Sequence, residues 1–120
     1  MVREALVQEA VLIMDAGADE RAPGAAVTVA LCGHWEHPGP CPLAPHHTHV
    51  ERVGEQVHLR VLFAADPQVE HEVRRRIERA LREGRLVGPD GVLTRWRLQQ
   101  TRPADVTPIE AEHADRLTLS

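Results

Sequence analysis

Apolar residues recur along this chain with two periods, and the alternation between them marks out helices and strands. In residues 2–16, Val2, Leu6, Ala10 and Ile13 share a helical stripe, with Val7, Val11 and Met14 beside it. Gly17 supplies a stop, so the pattern predicts an opening helix. After the turn-rich ADERAPG, the stretch AAVTVALCGHWEH alternates Val27, Val29 and Leu31 with Thr28 and Ala30. That alternation predicts a strand whose continuation carries Cys32, His34 and Glu36 on one face.

QVHLRVLFA at 56–64 predicts a second strand, with Val57, Leu59, Val61 and Phe63 on one side and His58 and Arg60 on the other. Asp66 then caps a helix with Pro67 at its first position, whose stripe of Val69, Val73, Ile77, Ala80 and Leu81 runs to Gly84. Pro89-Asp90-Gly91 marks a turn, followed by a strand with Val92, Thr94, Trp96 and Leu98 on one face and the makings of a short hairpin. Thr107, Pro108 and Glu110 fit a capping box that opens a short closing helix at 108–117. The order helix, strand, strand, helix, strand, short helix predicts an α+β fold, a small antiparallel sheet with helices packed on one face. A ferredoxin-like topology is one arrangement that satisfies it. At 120 residues the chain is expected to form a single domain, 1–120, with a His/Cys/Pro-rich loop at about 37–55.

Composition narrows the partners. Hydrophobic residues make up 42% and charged residues 27%, as in ordinary globular domains, so a folded core is expected. Aromatics are so few (Phe63, Trp35 and Trp96) that the core must rest on aliphatic side chains, and each ring becomes a core candidate. A formal charge of -4 argues against nucleic acid and anionic lipid as partners. Every basic residue is Arg, a bias attributed to a GC-rich, bacterial genome. The arginines of HEVRRRIERALREGR are balanced by acids four residues earlier, Glu70 to Arg74, Glu72 to Arg76 and Glu78 to Arg82, which favours a solvated, salt-bridged helix face. No uninterrupted apolar segment suits a signal peptide or a membrane span, so a cytoplasmic location is expected. There Cys32 and Cys41 are expected as thiols or ligands, with a disulfide only if the protein is exported.

The one dense chemical signal is CGHWEHPGPCPLAPHHTH at 32–49. It holds both cysteines, five of the 8 histidines and four of the 9 prolines. Imidazole nitrogen and thiolate sulfur are the ligands zinc prefers. A proline-rich connector with few apolar anchors lacks other means of fixing itself. The expectation is therefore a small transition-metal protein, with zinc as the best fit and other transition metals open, held by His34, His37, Cys41 and His46. Cys32, His47 and His49 are alternative ligands, and Glu36 and Glu51 second-shell groups. Two other readings stay open. One is a metalloenzyme of hydrolase or lyase type with an open coordination site, for which Glu55 joins the candidate bases. The other is a metal-free protein-interaction module, pairing with a protein partner or a second copy through sheet edges or an apolar helix face. His58 is expected as an ordinary strand residue, and His71 and His113 as solvated helix positions.

Overall fold

The computed structural model describes residues 3–32 and 44–119. Its elements run β1 (Glu4–Ile13), α1 (Ala22–Cys32), β2 (His46–Val53), β3 (Gln56–Ala65), α2 (Glu70–Glu83), β4 (Arg85–Val87), β5 (Leu93–Arg95), β6 (Arg97–Ala104) and α3 (Ala111–Thr118). Four strands form one antiparallel sheet in the order β2-β3-β1-β6, and β4 and β5 pair as a separate hairpin. Setting that hairpin aside, β1-α1-β2-β3-α2-β6 with this strand order follows the split βαβ, ferredoxin-like pattern. The expected α+β class is observed. Both α1 and α2 pack on one face of the sheet, whereas α3 lies on the other.

Two expected elements exchange type. Residues 4–13 are a strand, not a helix, and occupy the centre of the sheet between β3 and β6. A central strand has apolar residues on both faces, so its spacing fits either period. Ala10, Leu12 and Met14 pack toward α1 and α2, while Val7 packs under α3. Residues 22–32 are a helix, not a strand, despite the run Val27-Thr28-Val29. Its buried residues, Ala22, Pro23, Gly24, Ala26, Val27 and Leu31, recur at three- and four-residue spacing. Small side chains let the helix approach closely, and a Cβ on Gly24 would sit 3.0 Å from Thr48 Oγ1. Residues 46–53, placed in the expected loop, form the edge strand β2.

Other expectations hold. Strand β3 turns Val57, Leu59, Val61 and Phe63 into the main core. Asp66 accepts a hydrogen bond from Gln68 N at 3.0 Å, capping a 3-10 turn that leads into α2, and Val73, Ile77, Ala80 and Leu81 are buried. Trp96, buried between β5 and β6 rather than within a strand, donates from Nε1 to Leu81 O at 2.9 Å. Glu70–Arg74, Glu72–Arg76 and Glu78–Arg82 all pair. Arg74 also turns inward: its Nη1 donates to Val7 O at 2.8 Å and to Gln8 Oε1 at 2.7 Å. Gln8 in turn donates to Thr101 Oγ1 at 2.8 Å, so the one buried polar side chain among the described residues is satisfied.

Helix α2 ends at Gly84, whose φ is +66° and whose backbone lies so near Trp96 that a Cβ would come within 2.5 Å of Trp96 O. Gly54, at the β2–β3 turn, has a similar φ of +63° but open space around it. Gly54→Ala is expected to cost about 1 kcal/mol through the left-handed backbone alone. Gly84→Ala adds a clash with main chain and should cost roughly 2 kcal/mol or more. Urea unfolding of the two variants side by side checks the difference.

Candidate functional site

Strand alternation decides where the clustered histidines go. His46 and Thr48 face α1, while His47, His49 and Glu51 face the opposite side of the sheet. His46 Nε2 lies 3.0 Å from Thr28 Oγ1 on α1, and Nδ1 lies 3.2 Å from Ala44 O. A carbonyl only accepts, so the Nδ1 contact with Ala44 O places a hydrogen on Nδ1, while Thr28 Oγ1 itself donates to Gly24 O at 3.2 Å. Cys32 Sγ is 4.0 Å from Nδ1. Cys32 is disulfide-bonded, which corrects the expectation of a thiol or ligand.

The expected metal centre is therefore corrected. Among the described residues, no group of three or more His, Cys, Asp or Glu side chains could hold a metal ion. His46 is engaged through both ring nitrogens on one side of the sheet, and His47 and His49 lie on the other. Glu51 sits 3.4 Å from His49 Nε2 as an exposed pair, and Glu55 is exposed at the hairpin turn. His34, Glu36, His37 and Cys41 lie outside the described residues. The reading as a zinc protein, and the metalloenzyme reading that depended on the same centre, lose their support.

What the structure does bring together is a polar network on the face away from α1 and α2. The register aligns side chains in cross-strand rows: His47, Leu62, Val7 and Ala104; then His49, Arg60, Glu9 and Arg102; then Glu51, His58, Val11 and Gln100; then Val53, Gln56, Ile13 and Arg97. Helix α3 covers the first row, burying Ala114 and Leu117 against Val7, Leu62 and Ala64. The second and third rows floor a basin of about 300 Å³ whose lining includes Glu9, His49, His58, Arg60 and Arg102, and the fourth row lies beyond it.

Arg60 joins the covered and open parts. Its Nε and Nη2 donate to the two carboxylate oxygens of Glu110 at 3.1 and 2.8 Å, Nη1 donates to Glu9 at 2.7 Å, and Nη2 also reaches Asp105 O at 2.9 Å. Glu9 accepts from Arg102 as well, at 2.7 Å. Beyond Arg60, Thr107 N and Oγ1 both donate to Glu110 Oε1. This is the return half of the expected capping box, although Ala111, not Pro108, begins the regular helix. The Arg60 guanidinium, followed by the Thr107 donors, outweighs burial and holds the Glu110 carboxyl down at about 2.

The second titratable contact of α3 is His113, which the sequence placed in solvent. Its ring stacks on His47 with centroids 4.2 Å apart and planes 36° from parallel. Burial first, then the neighbouring His113, His49 and His46, holds His47 below its ordinary value of 6.5, with Glu110 opposing. His71 is exposed on α2 and His58 exposed on β3, as expected.

The stripe that α3 turns to the sheet is thus Glu110, His113, Ala114 and Leu117. Only Ala114 and Leu117 are apolar, and burying them contributes roughly 2–3 kcal/mol. An isolated helix of this length does not form in water, and ordering each residue costs about 1 kcal/mol. The Glu110 and His113 contacts therefore add to the apolar burial that holds α3 on the sheet.

No family model, curated protein or solved structure matches this chain.

Two outcomes are expected here. Because Glu110 titrates near 2 in the fold against 4.5 ordinarily, its contribution is complete above pH 4.5 and is lost as pH falls toward 2. Glu110→Gln should lower stability at pH 7 by about 1–3 kcal/mol and flatten that acid limb, as read by urea unfolding at pH 7, 4 and 3. Separately, a thiol titration of protein unfolded without reductant should find fewer free thiols than the two present after reduction.

Proposed function

We propose that the chain is a protein-interaction module that pairs with a second copy of itself through the uncovered rows of the sheet. The observation that carries this is the charge order across those rows. The β6 side bears Arg97 and Arg102, the β2 side bears Glu51, and Val11, Ile13 and Val53 lie between and beside them. Val53, 70% exposed, is among the most exposed large apolar residues.

A two-fold axis lying in the interface and parallel to the strands sets the β2 side of one copy over the β6 side of the other. Glu51 of each copy then meets the Arg97 and Arg102 side of its mate twice over, the self-complementarity an isologous contact requires. Three rows across four strands at about 4.8 Å spacing make a footprint of roughly 400 Å² per copy. That lies below the standard interface size, so the association is weak and concentration-dependent.

Edge pairing is the less favoured geometry for β6, whose Arg97, Arg102 and Pro103 oppose strand addition. Among the described residues no helix is long and apolar enough to cross a membrane.

Sedimentation velocity from 10 µM to 1 mM, concentrations of the order at which such small contacts form, should show a dimer that weakens with salt. Glu51→Arg should weaken it about tenfold, and adding Arg97→Glu should restore it. A sedimentation coefficient that stays monomeric over the whole range defeats the proposal.

A further inference from the structure

Helix α3 stands over one end of the same sheet face. We propose that the His47–His113 ring pair is an acid-sensitive latch that holds α3 over the apolar end of that face. One ring belongs to the edge strand β2 and the other to the inward stripe of α3, so the contact spans the helix and the sheet margin. On the opposite flank the helix is tied by Glu110 to Arg60 and, through Arg60, to Glu9. Two neutral imidazoles stack without penalty, and one proton can be tolerated between them. Two protons place like charges a ring contact apart, and the partners that could relieve them are few.

The groups facing the pair set the sign. Along β2 stand His49 on the same face and His46 on the other, and both oppose a charge on His47. Glu110, one turn before His113 on α3, favours it but is already committed to Arg60. Arg60 on β3 and Glu9 on β1 largely cancel one another. Asp19, Glu20 and Arg21 of the β1–α1 connection line the hollow that reaches His47 and His49, and Arg21 is paired with Asp19. Glu112 and Arg116 pair with each other elsewhere on α3.

With His47 depressed below 6.5, the folded pair binds fewer protons than the unfolded chain as pH falls through 6.5. Docking of α3 is complete above that value and weakens below it. Glu110 keeps its charge throughout this window, since it titrates near 2. Among the described contacts of α3, the one with His47 is therefore the one that weakens as pH falls below 6.5.

Release of α3 uncovers Val7, Leu62 and Ala64, which extend the open rows by an apolar strip. That consequence rests on the pairing proposed above; the latch itself does not.

Hydrogen exchange of the backbone amides at 111–118, corrected for intrinsic rates, tests it. Protection should fall about tenfold between pH 7.5 and 5.5, the order of change that local opening of a helix docked by few contacts gives. In His113→Phe and His47→Phe, which keep a ring but no charge, the fall should be under threefold, and circular dichroism at pH 7.5 reports whether each variant is folded. Imidazole proton shifts in the unsubstituted protein supply a readout free of substitution, with two coupled steps expected. Independent single titrations of both rings, or a tenfold loss that persists in the variants, overturns the latch.

Sedimentation at both pH values on the same samples separates the two ideas. Loosening of α3 with association unchanged sustains the latch and removes only the extension of the pairing surface by the uncovered strip, whereas a monomer at both pH values removes the sheet-face pairing. The wild type and His113→Phe differ at one ring only, so the difference between them reports the latch.

Discussion

Two-residue alternation along β2 is the constraint on which the rest depends. A segment crowded with imidazole looks like a chelating loop as long as its backbone is free to bend the rings together. Pairing with β3 removes that freedom: Ala64 N donates to Pro45 O at 2.9 Å, and from there His46 lies opposite Phe63 and His47 opposite Leu62. Successive side chains must then take opposite faces. His46 goes to α1, where Thr28 and Ala44 occupy its nitrogens, and His47 goes to α3, where it meets His113. Density of ligand types in sequence becomes dispersion in space.

The elements legible in the sequence were those with one buried face. Helix α2 has a single apolar stripe, a capping aspartate, a proline at its start and a glycine at its end, and all of these agree with one another. Strand β3 showed its period because His58 and Arg60 lie on the less covered side at its start. Strand β1 was illegible for the opposite reason. It is central and covered on both faces at its Val7 end, so apolar residues follow one another and any period can be drawn through them. In α1, the β-branched Val27, Thr28 and Val29 favoured extended backbone by propensity alone. Burial of Pro23, Val27 and Leu31 along one side overrode that preference, as tertiary packing does for marginal helices.

The site was legible only in fragments. Thr107 and Glu110 announced themselves because a capping box is local. Arg60 was visibly on the polar side of its strand. That Glu110 and Glu9 would converge on Arg60 was not visible, since each lies some fifty positions away in sequence and only the strand order β2-β3-β1-β6 brings them together. The His47–His113 contact joins residues whose own neighbourhoods suggested respectively a metal ligand and a solvated helix. Neither reading contained the other residue.

The division of the interior into two clusters gives these polar contacts their leverage. The larger cluster, between the sheet and α1 and α2, contains no residue of α3. The smaller one, under α3, consists of five buried residues, only two of them from the helix. Loss of α3 therefore leaves the main core, the β2–β3–β1–β6 ladder and the buried Gln8–Arg74 network intact. Local opening of this kind lies well below global unfolding in free energy, and it is where a change of one or two protonated groups can tip an equilibrium. In a helix docked by a long apolar stripe, the same two histidines would be inert. Here two of the four inward positions, Glu110 and His113, are titratable, so charge bears on the docking while the core decides the fold.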